Sequence, residues 1–184
     1  MSETYQVENN AIDGEDDMGS LNHSTVQANL AFLLKLSKKF AVMTELSLDI
    51  SQHDLSKYDL DAKEELKPDV CAYLKRPAVP DGRNDLLKVS QMPDLVIEIL
   101  SPRQAVSYLV RKIKAFFELG VKSCWLVDPE QKIITVYSLS KRHLRRKPFS
   151  LDTAPEVIDE MMDIRIPHEE IFGEEEFADL FRTT

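Results

Sequence analysis

Several familiar constellations are missing from this sequence. Its four histidines are scattered and form no metal-ligand spacing, so no zinc site is expected. Cysteine is scarce: Cys71 and Cys124 each lie inside an apolar, strand-like run. They read as buried thiols in a reducing cytoplasm rather than as a disulfide or metal ligands. There is no glycine-rich phosphate loop, no GxGxxG and no internal repeat, which disfavours a Rossmann fold. No apolar run approaches the roughly 20 residues of a membrane span. The N-terminal segment is acidic rather than signal-like, and a cytoplasmic protein is expected.

What is present suits one ordinary domain. The chain has 184 residues, 43% of them apolar and 30% charged, enough for a sizeable core. The formal net charge of −9 argues against indiscriminate nucleic-acid binding. The distribution softens this, because acid concentrates at residues 3–17 and 152–179. Residues 141–147 (KRHLRRK) carry five cations in seven positions. Such a run reads either as a solvated loop or as a phosphate-contacting patch.

Along the chain, residues 1–20 are polar and acidic, and an acidic mobile arm or edge strand is expected ahead of a single domain over 21–184. Residues 22–25 (NHST) offer several caps for a helix through VQANLAFLLKLSKKF. AVMTELSLDIS then alternates, with Val42, Leu46, Leu48 and Ile50 facing one way, and predicts one half-buried strand. Strands are predicted at 68–74 (PDVCAYL) and 93–100, separated by a long loop over 75–91. A helix over 104–119, a strand at 123–128 (SCWLVD) and a hairpin partner in IITVYSL follow. A basic loop, a polar stretch and a short helix near 174–181 close the chain. The order is helix, three strands, helix, strand, strand.

Within 104–119 (QAVSYLVRKIKAFFEL), Ser107, Arg111, Lys114 and Glu118 share a narrow polar arc at about 100° per residue. Lys112 falls instead inside the stripe of Ala105, Leu109, Ile113, Phe116 and Phe117. An ammonium there must snorkel, pair with a carboxylate or serve a site at the core's edge. Period-2 alternation puts Asp94, Val96, Glu98 and Leu100 on one face of their strand, and Asp69, Cys71 and Tyr73 on one face of theirs. If those strands are neighbours, about 4.8 Å apart, Asp69 and Glu98 can converge on one hard cation. Each residue alone has a plainer reading: Pro-Asp pairs open strands, a mid-strand glutamate can face solvent, and a lysine can snorkel.

These segments resemble a family. PDV, PDLVIEILSP, the helix ending K-x-x-x-F-x-x-x-G-V and the segment WLVDP are similar to the restriction-endonuclease-like family common in cyanobacteria, within the PD-(D/E)xK nuclease superfamily. The likeness runs from about Asp13 to Pro129. Asp13, Gly14, Glu15, Met18 and His23 resemble the family's N-terminal segment. The resemblance implies an α/β fold: an α+β mixed sheet with an αβββαβ core and an added C-terminal hairpin strand. It implies a magnesium- or manganese-dependent endonuclease acting on DNA rather than RNA, working as a homodimer. Asp69 and Glu98 would be the metal ligands, with Lys112 the third catalytic residue. The superfamily's E-x-K puts lysine at position 100, where this chain has Leu100; the resemblance implies that the lysine has moved to the helix as Lys112. Glu45 on the first strand is a further candidate carboxylate, and Gln27 on the first helix a further site residue. Departures are Asp16 and Asp17 at usually apolar positions, Tyr108 where aspartate is frequent, and Cys124 where a bulky residue is usual. Alanine at Glu98 is expected to abolish cleavage and leave folding intact. The rival reading is a catalytically inactive interaction module on the same fold. A small nucleotide or RNA hydrolase is the third.

Overall fold

A computed structural model describes residues 19–60, 62, 64–79, 85–141 and 143–173. The first helix, α1, spans Leu21–Leu36, and the second, α2, spans Val106–Glu118. The strands are β1 Ala41–Thr44, β2 Leu48–Asp49, β3 Glu65–Leu66, β4 Val70–Tyr73, β5 Leu95–Ile99, β6 Ser123–Asp128, β7 Ile133–Ser140, β8 His143–Ser150, β9 Glu156–Asp159 and β10 Ile164–Pro167. A short helix, α3, closes the described part at His168–Phe172. Six strands form one mixed sheet in the order β1-β4-β5-β6-β7-β8. Only the β5–β6 pair is parallel, and α2 is its crossover. This is the expected αβββαβ core with a hairpin added.

The central strands are buried on both faces, which explains their continuous apolar runs. One face carries Ala72, Leu95, Ile97, Ile99 and Trp125 against Val26, Leu30 and Leu34 of α1 and against the β9–β10 hairpin. The other carries Cys71, Tyr73, Val96 and Leu126 against Leu109, Ile113 and Phe116 of α2, with Leu48 and Leu66 from the small β2–β3 pair. The Ser123 hydroxyl and the Trp125 indole N–H both donate to Asp159 Oδ2, at 2.6 and 2.8 Å, tying the β9–β10 hairpin to β6.

Helix α2 ends as its sequence suggests. Gly120 has φ +96°, and the amides of Gly120 and Val121 return to the carbonyls of Phe117 and Phe116. That double bond is a Schellman stop, which needs a left-handed residue. Helix α1 starts earlier than expected, because Ser20 is its cap and accepts the His23 N–H at 3.2 Å. It ends at Leu36, and Lys38 turns the chain at φ 57°.

Three expectations are corrected. The continuous strand over 41–51 is broken: Glu45 has φ 50°, and β2 pairs with β3 outside the main sheet. Val42 consequently packs on the α1 side, whereas Leu46, Leu48 and Ile50 pack on the α2 side. The basic segment is not a loop, since His143–Ser150 pairs residue for residue with β7. The polar stretch after it contains the β9–β10 hairpin and α3. The N-terminal arm up to residue 18 and the helix near 174–181 lie outside the described residues. No helix among the described residues is long and apolar enough to cross a membrane.

Candidate active site at the end of the central strands

The register of β4 on β5 decides the site. Val70 faces Ile97, Cys71 faces Val96 and Ala72 faces Leu95 in an antiparallel ladder. One further step sets Asp69 opposite Glu98 on the face toward α2. Directly opposed residues have Cβ atoms about 4.5–5.5 Å apart, so the two carboxylates are cross-strand neighbours. Asp69 lies just beyond the last paired residue, and its Oδ2 accepts the Ile99 N–H at 2.5 Å.

Glu98 is buried, 1% exposed. Its Oε2 accepts from Lys112 Nζ at 3.0 Å, and the same ammonium donates to the Lys67 carbonyl at 2.7 Å. Lys112 therefore points inward from α2, as its place on the helical wheel requires. Burial works to lower the Lys112 pKa. The Glu98 charge and hydrogen bond, helped by Asp69, outweigh burial and hold it above the usual lysine value. The lysine side chain keeps 13% of its surface exposed, so it sits where the core opens to solvent.

Two residues of α1 and one just past the end of β1 close in around Asp69. Gln27 Nε2 donates to the Asp69 carbonyl at 3.0 Å and to Glu45 Oε1 at 3.2 Å. The Glu45 N–H donates to the same carbonyl at 3.2 Å. Glu45 thus shares the register row of Asp69, but its carboxylate engages Gln27. His23, in the first turn of α1, is 5% exposed. Its Nε2 lies 3.5 Å from Asp69 Oδ1 and its Nδ1 lies 3.2 Å from Ser101 Oγ. In the sequence His23 stands out only within the cap stretch 22–25 and the family's N-terminal segment, and Ser101 only as the residue that follows the strand predicted at 93–100. No periodicity marks either residue, because each works across a tertiary contact.

Asp94 is structural. At the other end of β5 it accepts the Leu74 N–H at 2.7 Å and pairs with Lys122 at 2.8 Å. Tyr108 lies under the Arg111 guanidinium, 5.6 Å from ring to cation, one turn before Lys112. Cys71 and Cys124 are free and buried. Among the described residues no group of three histidine, cysteine, aspartate or glutamate side chains gathers as a metal cage. Two strand-borne carboxylates beside a lysine remain. That donor set suits a hard cation that keeps water and takes up a phosphate oxygen.

A family model, Uma2, described as "Putative restriction endonuclease", matches residues 6–164. Among solved structures the chain is similar to one described as a "putative nuclease belonging to DUF820" from Anabaena variabilis. The identity is 18% and the TM-score 0.65, covering 84% of this chain and 82% of that one. No curated protein matches.

Proposed function

The chain belongs to the Uma2 restriction-endonuclease family, and from that premise we propose that it is a metal-dependent endonuclease of the PD-(D/E)xK type, cleaving DNA in preference to RNA. The observation that carries this reading is the buried Glu98–Lys112 pair with Asp69 directly across from Glu98 on the neighbouring strand. Asp69 and Glu98 would hold the ion, magnesium or manganese, with water and a substrate phosphate completing its shell. A bound divalent ion there supplies polarisation of a phosphate oxygen and acidifies the attacking water.

The chain's own residues do the rest. Lys112, held protonated by Glu98, is a poor base at neutral pH. It acts instead as a fixed positive charge that orients the water and neutralises charge developing on the phosphorane-like transition state. The Lys67 carbonyl and Glu98 fix the ammonium together, which fills the orienting role left by Tyr108 in place of aspartate. Lys141, Arg145, Arg146 and Lys147, all exposed on the β7–β8 hairpin, offer contacts to a phosphate backbone despite the net charge of −9. We read the enzyme as a homodimer, so that two sites reach two strands, in a reducing cytoplasm.

The test is cleavage of plasmid and of single-stranded DNA and RNA with millimolar magnesium, by wild type and Glu98→Gln. Metal-dependent cleavage by wild type that the variant loses is the expected result. Equal cleavage by both overturns the site assignment. The same net charge also favours the second reading, an inactive module on this fold. It predicts a folded protein with neither cleavage nor metal binding. Sedimentation of the purified chain tests the dimer.

A further inference from the structure

We propose that His23 is the positioning residue that fixes the Asp69 carboxylate for metal binding, with Ser101 setting the imidazole's tautomer. This inference rests on the metal-site reading above. His23 lies between Ser101 Oγ at its Nδ1, 3.2 Å away, and Asp69 Oδ1 near its Nε2, 3.5 Å away. A bare Nε2 facing a carboxylate oxygen would set lone pair against lone pair, so the proton belongs on Nε2. In the neutral ring the serine hydroxyl, able to donate or accept, then donates to Nδ1. A ring held this way is 5% exposed and has little freedom to turn.

The consequence falls on Asp69. Its Oδ2 already takes the Ile99 N–H at 2.5 Å, and its main-chain carbonyl takes Gln27 and Glu45. His23 Nε2 stands 3.5 Å from the second oxygen, within ion-pair range, so both ends of the carboxylate have a neighbour. Its remaining lone pairs then aim in one direction rather than sampling several. Ordering of this kind is why partners of metal ligands are worth 10–100-fold in metal affinity. It also explains why the first turn of α1, a helix packed on the opposite face of the sheet, reaches the site at all.

The experiment is calorimetric titration of the full chain with Mn2+ alone, with thermal unfolding of each metal-free variant alongside. His23→Leu removes the donor and is expected to weaken Mn2+ binding about 10–100-fold. His23→Gln, whose amide N–H reaches to a similar place as Nε2, is expected to keep most of the affinity. Ser101→Ala, which frees the tautomer, is expected to fall between them. If His23→Leu binds Mn2+ like wild type while Asp69→Asn has lost it, the positioning role is wrong and the metal site stands. Equal losses in His23→Gln and His23→Leu also overturn the role, because only ring packing would then matter. If Asp69→Asn binds as tightly as wild type, the metal reading itself fails and takes this inference with it. Should His23→Leu not fold, the Ser101→Ala affinity decides: a loss supports the role and no change refutes it.

Discussion

Lys112 meets Glu98 at 3.0 Å between the second turn of α2 and the middle of β5, at the edge of an apolar layer that includes Val96, Leu109 and Ile113. A carboxylate 1% exposed is tolerable there because a full counter-charge touches it.

Breaking that pair on one side should cost more than removing it altogether. Lys112→Ala or Glu98→Ala leaves a charge without its main partner, and about 3–5 kcal/mol of stability should be lost. The double variant Glu98→Leu/Lys112→Leu should lose far less. Urea unfolding of the three variants measures this. The expectation that Glu98→Ala leaves folding intact is therefore revised, and Glu98→Gln is the better probe of activity.

The pair also gives stability a pH dependence of definite sign. Lys112 titrates above its ordinary value of 10.5 in the folded state, so its contribution is complete at neutral pH. The contribution declines as pH rises past 10.5 and through the raised folded-state value. Relative to the double leucine variant, wild type should hold its stability up to 10.5 and lose ground above it in urea titrations. A difference that stays constant would mean that Lys112 titrates alike in the folded and unfolded chains.

Metal should stabilise the folded chain. At 100 times its dissociation constant a ligand bound only to the native state adds about 2.7 kcal/mol. Magnesium or manganese should raise the melting temperature of wild type and leave Asp69→Asn and Glu98→Gln unmoved. A rise of equal size in all three would put the ion elsewhere.

The two thiols should be inert until the protein unfolds. Burial pushes the Cys71 thiol up to about 12 and raises Cys124 well above the ordinary value. Iodoacetamide at pH 8 should label neither in the native state and both in denaturant, counted by mass. Rapid native labelling would show that β4 or β6 opens readily.

Charge reversal on the exposed strand tests the hairpin's part in binding. Arg145→Glu and Lys147→Glu should each weaken duplex binding regardless of sequence and lower the salt slope by about 1. Lys147 also rests 5.0 Å from the Phe149 ring, so a small stability loss accompanies its change. Unchanged affinity would assign these cations to keeping an edge strand unpaired.

Most elements were legible from local pattern, and the failures share one cause. β5, β6 and α2 announce themselves because apolar period and terminating residues lie within each segment. The strand over 41–51 has the right alternation, but it breaks at Glu45, where the backbone amide bonds to the Asp69 carbonyl. The basic segment carries no apolar face, since β8 is an edge strand exposed along most of its length. Only its pairing with β7 makes it a strand.

The sequence by itself determined which side chains face which way: Val96 and Glu98 against Leu95, Ile97 and Ile99, and Lys112 inward on α2. Such facts follow from helix and strand geometry, which is repeated every few residues. The tertiary structure alone decided that Asp69 stands opposite Glu98, that Lys112 reaches Glu98 rather than a surface acid, and that His23 and Ser101 flank Asp69. Register joins residues far apart in the chain, Asp69 and Ile99 being separated by 30 positions. It is set by the packing of the whole sheet, which no local period encodes.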